Sequence, residues 1–224
     1  MDEIIAAIVG DDIAQLKSLL AADPALVSRP FDRDRLLDSG IFHWIYIGDI
    51  ALHVASAGYR TRLVKLLLTA GADPNAAANR RGSTPLHYAA DGFITGPPWD
   101  PLKQVATLQL LLDAGAKLNT QDRNGATALH RAVRTRCADA VRFLLEAGVD
   151  PTIRNESGST PFHLAVQTTG RGGSGEPKAK DAQRRIIEEF LSRDISPNLT
   201  DGKGHTVFEC ARGEWIQKAL SQKL

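Results

Sequence analysis

One six-residue pattern recurs along this chain of 224 residues: Thr84-Pro85-Leu86-His87-Tyr88-Ala89, Thr127-Ala128-Leu129-His130-Arg131-Ala132, Thr160-Pro161-Phe162-His163-Leu164-Ala165 and, more loosely, Thr206-Val207-Phe208-Glu209-Cys210-Ala211. An earlier copy, Ile50-Ala51-Leu52-His53-Val54-Ala55, has Ile in the Thr place. A threonine of this kind caps a helix by accepting a bond from an early backbone N–H, and a proline beside it takes the one position that needs no donor. Each copy therefore starts a helix. Two residues ahead of each Thr stands a glycine (Gly82, Gly125, Gly158, Gly204), and three further back Asn79, Asp122, Asn155 or Asp201. That spacing predicts a tight turn at the tip of a finger. Downstream, the apolar blocks at 63–68, 108–112, 141–145 and 186–191 have the spacing of a buried helical stripe. Three of them end in Ala-Gly, at Gly71, Gly115 and Gly148, where glycine closes a helix.

From Thr127 to Thr160 is 33 residues, whereas Thr84 to Thr127 is 43 and Thr160 to Thr206 is 46. The repeated Thr-Pro-Leu-His-x-Ala pattern with this period resembles the ankyrin-repeat family. The resemblance implies a mainly α fold, an ankyrin-repeat α-solenoid with β-hairpin fingers in which each unit buries its apolar face against its neighbours. Here the first finger is extended and two loops are inserted between helices, at 91–101 and 168–178. One domain is expected over 1–224: an N-terminal cap at 1–28, the extended finger at 29–48, repeats at 49–78, 79–121, 122–154 and 155–198, and a C-terminal cap at 199–224. The second insertion is rich in glycine, but no Gly-Lys-Ser/Thr ends it and no strand precedes it, so it reads as a linker and not as a phosphate loop.

Charge and cysteine content narrow the function. With 27 basic and 26 acidic side chains the net charge is +1, which gives no global field favouring nucleic acid or an anionic membrane. The two cysteines, Cys137 and Cys210, are 73 positions apart and have no metal-ligand spacing, which suits a reducing cytoplasm. No run of about 18 apolar residues and no basic leader is seen, so neither a membrane span nor an export signal is expected. His53, His87, His130 and His163 recur at similar depth, but successive units lie roughly 10 Å apart, too far for two of them to hold one ion. In the family this histidine bonds the neighbouring finger's backbone. No metal, cofactor or catalytic residue is expected.

The candidate site comes from the insertions and from the family's binding face. Trp44 and Trp99 stand outside the repeat framework, and the first finger carries the strand-like run Ile41-Phe42-His43-Trp44-Ile45-Tyr46-Ile47. Exposed tryptophan and tyrosine are common anchors for partners; the plainer reading has Trp44, Tyr46 and Trp99 packing their own loops. Family partners lie along the finger tips and the open side of the first helices. The insertions contribute His43, Trp44, Tyr46 and Trp99 to the expected partner-binding set, and the resemblance implies Arg80, Arg81, Tyr88, Arg123, Asn124, Arg131 and Arg134, with five arginines in one groove suited to an acidic peptide. The leading expectation is a cytoplasmic protein-interaction module, monomer or weak homodimer, that holds a protein or peptide partner on its concave and finger face and is not an enzyme. The alternatives are a small-molecule or enzymatic site between the first finger and the Trp99 loop, and self-association through that finger.

Overall fold

Each recurring threonine starts a short helix, and the residue three places on completes its cap. The computed structural model describes residues 2–38, 40–92, 99–167 and 177–221. It opens with α1 (Asp2–Val9) and α2 (Ile13–Ala22), the latter capped by Asp12, whose carboxylate accepts the Gln15 N–H at 2.9 Å. After a 3-10 turn at Pro24–Val27 come β1 (Arg35–Leu37) and β2 (His43–Ile45). Helix pairs follow: α3 (Ala51–Ala57) with α4 (Thr61–Thr69), α5 (Pro85–Ala90) with α6 (Pro101–Asp113), α7 (Ala128–Arg134) with α8 (Ala138–Glu146), α9 (Pro161–Ala165) with α10 (Pro177–Ser192), and α11 (Val207–Cys210) with α12 (Glu214–Ser221). The first helices α3, α5, α7 and α9 pack in one layer, and the second helices α4, α6, α8 and α10 in another. Leu52, Leu63, Leu67, Leu86, Leu108, Leu111, Leu129 and Leu144 between the layers are fully buried. Each such side chain contributes about 1.5–3 kcal/mol of transfer free energy.

The histidines tie one unit to the next. The Ile50, Thr84 and Thr127 N–H groups each donate to Nδ1 of His53, His87 and His130 at 3.1 Å. The Thr160 hydroxyl takes that role for His163 at 2.7 Å. With Nδ1 accepting, the proton sits on Nε2, which donates across to the next finger: to Ser83 O at 3.0 Å, Ala126 O at 2.9 Å, Ser159 O at 3.1 Å and His205 O at 3.1 Å. Burial holds all four imidazoles below their ordinary value, His87 at about 4, so they are neutral structural ties. Glu209 keeps only the local half of the role, accepting the Thr206 N–H at 2.7 Å.

The later fingers are short hairpins closed by Asp122 N to Ala126 O, Asn155 N to Ser159 O and Asp201 N to His205 O at 2.8–2.9 Å. Among the described residues only the first finger forms a two-stranded ladder, β1 antiparallel to β2, with Leu36 opposite Trp44 and Leu37 opposite His43. Backbone bonds then link the tips in sequence: Arg80 N to Ile47 O, Arg123 N to Arg81 O and Glu156 N to Asn124 O at 2.9 Å, and Gly202 N to Gly158 O at 2.8 Å. This close approach requires glycine. A Cβ on Gly125 (φ 68°) would lie 2.8 Å from the Glu156 nitrogen.

The insertions change how the helix pair is joined. In α3–α4 and α7–α8 a single residue at positive φ, Tyr59 or Arg136, makes the turn. Where residues are inserted, a buried glutamine from the second helix caps the first instead: Gln104 Nε2 donates to Ala89 O at 3.0 Å, and Gln183 Nε2 to Ala165 O at 2.8 Å. Both second helices also begin earlier than their apolar blocks, at Pro101 and Pro177. Part of each expected loop is therefore helix, because Asp100 caps one start by accepting the Leu102 and Lys103 N–H groups and proline occupies the first turn of both. Positions 93–98 and the glycine-rich 168–176, the middles of the two expected insertions, lie outside the described residues.

Candidate partner-binding site

Two strips of side chains run across the units between the first finger and α7, one closed and one open. The closed strip centres on Asp91, just past the end of α5. Arg131 Nη1 donates to Asp91 Oδ2 at 3.0 Å, and its Nη2 donates to Asp122 Oδ2 and to Ser83 Oγ, both at 2.6 Å. Arg134 reaches the other Asp91 oxygen at 3.2 Å, and His43 Nε2 lies 3.7 Å from Asp91 Oδ2. Burial opposes ionisation of Asp91, but Arg131, His43 and Arg134 together hold its carboxyl well below the usual range. Against the same burial, Asp91 and Asp122 raise the Arg131 guanidinium. Next to this cluster, the Tyr88 hydroxyl and the Tyr46 N–H donate to Asp49 Oδ2 at 2.6 and 2.7 Å. Burial pushes both the Asp49 carboxyl and the Tyr88 phenol up.

The open strip is the outer face of the β1–β2 ribbon and the tips beside it. Strand alternation turns Ile45 and Leu37 inward and leaves Leu36 and Trp44, a directly opposed pair, outside at 48% and 46% exposure. Phe42 and Ile47 are exposed to 45% and 50%. Phe42 also holds φ at 56°, a left-handed conformation costly for a bulky residue. Trp44 stacks on Tyr46 with ring centroids 6.5 Å apart and planes 22° from parallel. The Arg81 guanidinium lies 5.3 Å over the Tyr46 ring and donates to its hydroxyl at 3.1 Å. Arg123, exposed on the next tip, lies along Gly82, where a Cβ would come within 3.0 Å of its Cγ.

Trp99 belongs with the closed strip. Its Nε1 donates to Gln104 Oε1 at 3.0 Å, it is partly buried against the core, and Lys178 Nζ lies 5.5 Å over its ring. A shallow depression lies between α1 and the first finger, lined by Asp2, Ile5, Phe31, Asp32, Arg33, Arg35 and Ile45. Among the described residues no group of three His, Cys, Asp or Glu side chains is placed to hold a metal ion. Burial pushes the Cys137 thiol up to about 12, which removes it as a nucleophile at neutral pH.

Profiles described as ankyrin repeats in many copies match residues 52–92 and 111–165, and one described as an ankyrin repeat matches 81–123. The chain belongs to the ankyrin-repeat family. It is similar to a crystal structure of an ankyrin repeat domain from Acinetobacter baumannii, with a TM-score of 0.70 and 26% identity over 98% of this chain and 96% of that one. It is 36% identical over 94 residues to the B-cell lymphoma 3 protein homolog of Mus musculus, and 37% identical over 83 residues to ankyrin repeat and SOCS box protein 6 of Mus musculus. These matches cover 40% and 37% of this chain, and the chain spans 18% of the length of each of these curated relatives. Ankyrin repeats are generally protein–protein interaction modules. Among the described residues no helix is long and apolar enough to cross a membrane.

Within this ankyrin stack the structure corrects the five-arginine groove. Arg131 and Tyr88 are on first helices as expected, but at 2% and 1% exposure they face the interior and cannot meet a partner. The cause is the acidic pair Asp91 and Asp122, which draws the guanidinium inward. Arg134 remains partly open on Asp91, and Arg80 is exposed yet paired with Asp34 at 2.8 Å. His43 is largely covered, with Nδ1 2.7 Å from Trp44 O. Trp44, Arg123 and Asn124 are exposed, and Tyr46 and Arg81 partly so. Sequence reasoning did not single out Leu36, Phe42 and Ile47. The period-2 alternation around Trp44 points to Phe42, whereas Leu36 is placed beside Trp44 by the strand register and Ile47 lies out of that phase.

Proposed function

We propose that the protein is a cytoplasmic polypeptide-binding module without catalysis of its own, and that its partner docks on the outer face of the first finger and the neighbouring tips. One observation carries this reading. Of the five large apolar side chains exposed among the described residues, four (Leu36, Phe42, Trp44 and Ile47) lie on the first finger. A monomer gains nothing from such a patch, whereas a partner's surface would bury it. A small-molecule or enzymatic site between the finger and Trp99 is disfavoured, because His43, Asp91, Arg131 and Trp99 are each already engaged with protein groups.

Affinity capture from native lysate, with wild type beside Trp44→Ala and both checked for folding by circular dichroism, tests the reading. A protein held by wild type and lost by the folded variant supports it. Identical recoveries from both baits would sink it.

A further inference from the structure

We propose that the segment taken by this face is acidic as well as apolar: a polypeptide stretch that lays an apolar side chain on Leu36 and Trp44 and sets carboxylates against Arg81 and Arg123. The inference rests on the first finger being the docking face and adds the chemistry of the partner.

Arginines on this side of the stack differ in what already neutralises them. Arg80 is paired with Asp34, Arg131 with Asp91 and Asp122, and Arg134 with Asp91. Among the described residues no carboxylate lies within 4.0 Å of the Arg81 or Arg123 side-chain nitrogens. Of these five arginines, these two are uncompensated among the described residues, and they are placed together. The Arg123 N–H donates to Arg81 O at 2.9 Å, which fixes their two tips side by side.

Arg81 is also pre-oriented. Stacking on Tyr46 and the bond to its hydroxyl hold the guanidinium with its remaining N–H donors unengaged among the described residues, so little freedom is lost when it pairs with a carboxylate. Through Tyr46 the cation is continuous with Trp44, so apolar and basic surface form one ladder without a gap. The far limit is set by Glu156, whose N–H bonds Asn124 O and which places an acid on the next tip. The basic stretch therefore spans two tips, and an acidic stretch of matching length completes it. With a net charge of only +1 the attraction is local to this ladder, and its aliphatic half favours polypeptide.

A random dodecapeptide display library selected on the full chain tests this. Arg81→Ala/Arg123→Ala, Trp44→Ala and, as a control on the exposed side of α4, Lys65→Ala run in parallel, each with its melting curve. The expected result is enrichment of sequences with net negative charge and at least one large apolar residue. The most enriched peptide, made synthetically, should bind the double-arginine variant at least about tenfold more weakly, as lost charge-assisted bonds require, and Lys65→Ala as wild type does. Neutral or basic peptides that still depend on Trp44 would overturn the acidic inference and leave the docking face standing. Acidic peptides indifferent to all the variants, or no enrichment with a monomeric chain, would overturn both. A dimer in sedimentation that Trp44→Ala breaks would assign the face to a second copy and end the proposal.

Discussion

Trp44 and Trp99 both stand in stretches that break the repeat period, and they end in opposite situations. Trp99 finds a partner within its own unit: Gln104 takes its indole N–H while also capping α5. Trp44 stacks on Tyr46 and leaves 46% of its surface in solvent. The arginines repeat the contrast, since Arg131 is closed in by Asp91 and Asp122 while Arg81 and Arg123 meet no carboxylate among the described residues. The lesson concerns availability. A residue type suited to binding becomes a binding residue only where its own fold leaves its polar handle or its face unsatisfied.

Three perturbations would break or sharpen that contrast. The largest effect should come from the closed strip. Arg131→Met leaves Asp91 and Asp122 without their shared buried cation, and unfolding by urea should show a loss of about 3–5 kcal/mol. A loss within about 0.5 kcal/mol would mean that the strip is not closed.

Acid comes next. A histidine whose folded value is depressed remains neutral in the fold while the unfolded chain takes up a proton. Stability is therefore complete above the ordinary imidazole value and falls as pH drops from there toward the folded value. For His87 the window is about 6.5 to 4, a loss of about 3 kcal/mol at its foot. His53, His130 and His163 add losses of the same sign. Asp91 and Asp122, held low by Arg131, contribute only below the ordinary carboxylate range, so the histidine ties should fail first. The raised Asp49 carboxyl works in the opposite sense over the same range, one group against four, so urea midpoints should still fall between pH 7 and pH 4, and a flat or rising profile would contradict neutral ties.

The smallest effects separate the two tryptophans. Trp99→Ala removes a hydrogen bond and part of a packed ring and should cost about 1–3 kcal/mol. Trp44→Ala should fall within about 0.5 kcal/mol of wild type.

Much of the fold was legible because the repeat is written in local chemistry. Thr127 caps, His130 ties and Gly125 turns within a few residues of one another, and the same set recurs at a readable period. The strip assignments were less legible because they depend on partners far along the chain. Arg131 meets Asp91 across 40 positions and Tyr88 meets Asp49 across 39. Nothing local to the Leu-His-Arg-Ala stretch announces that its arginine turns inward. The exposed ribbon face lay between: Trp44 was visible as an outlier, but Leu36 joins it only through the register of β1 against β2. The glutamine that replaces the tight turn after an insertion, Gln104 or Gln183, has no sequence signature apart from its place in an extended second helix.

The most direct test is a paired reading on Trp44→Ala and Trp99→Ala: the urea midpoint and, in the same preparations, binding of the most enriched acidic peptide. The account predicts that Trp44→Ala loses binding by about tenfold or more with its midpoint unmoved, and that Trp99→Ala lowers the midpoint while the folded fraction binds as wild type does. The reverse assignment, with Trp44 carrying stability and Trp99 carrying affinity, would contradict it.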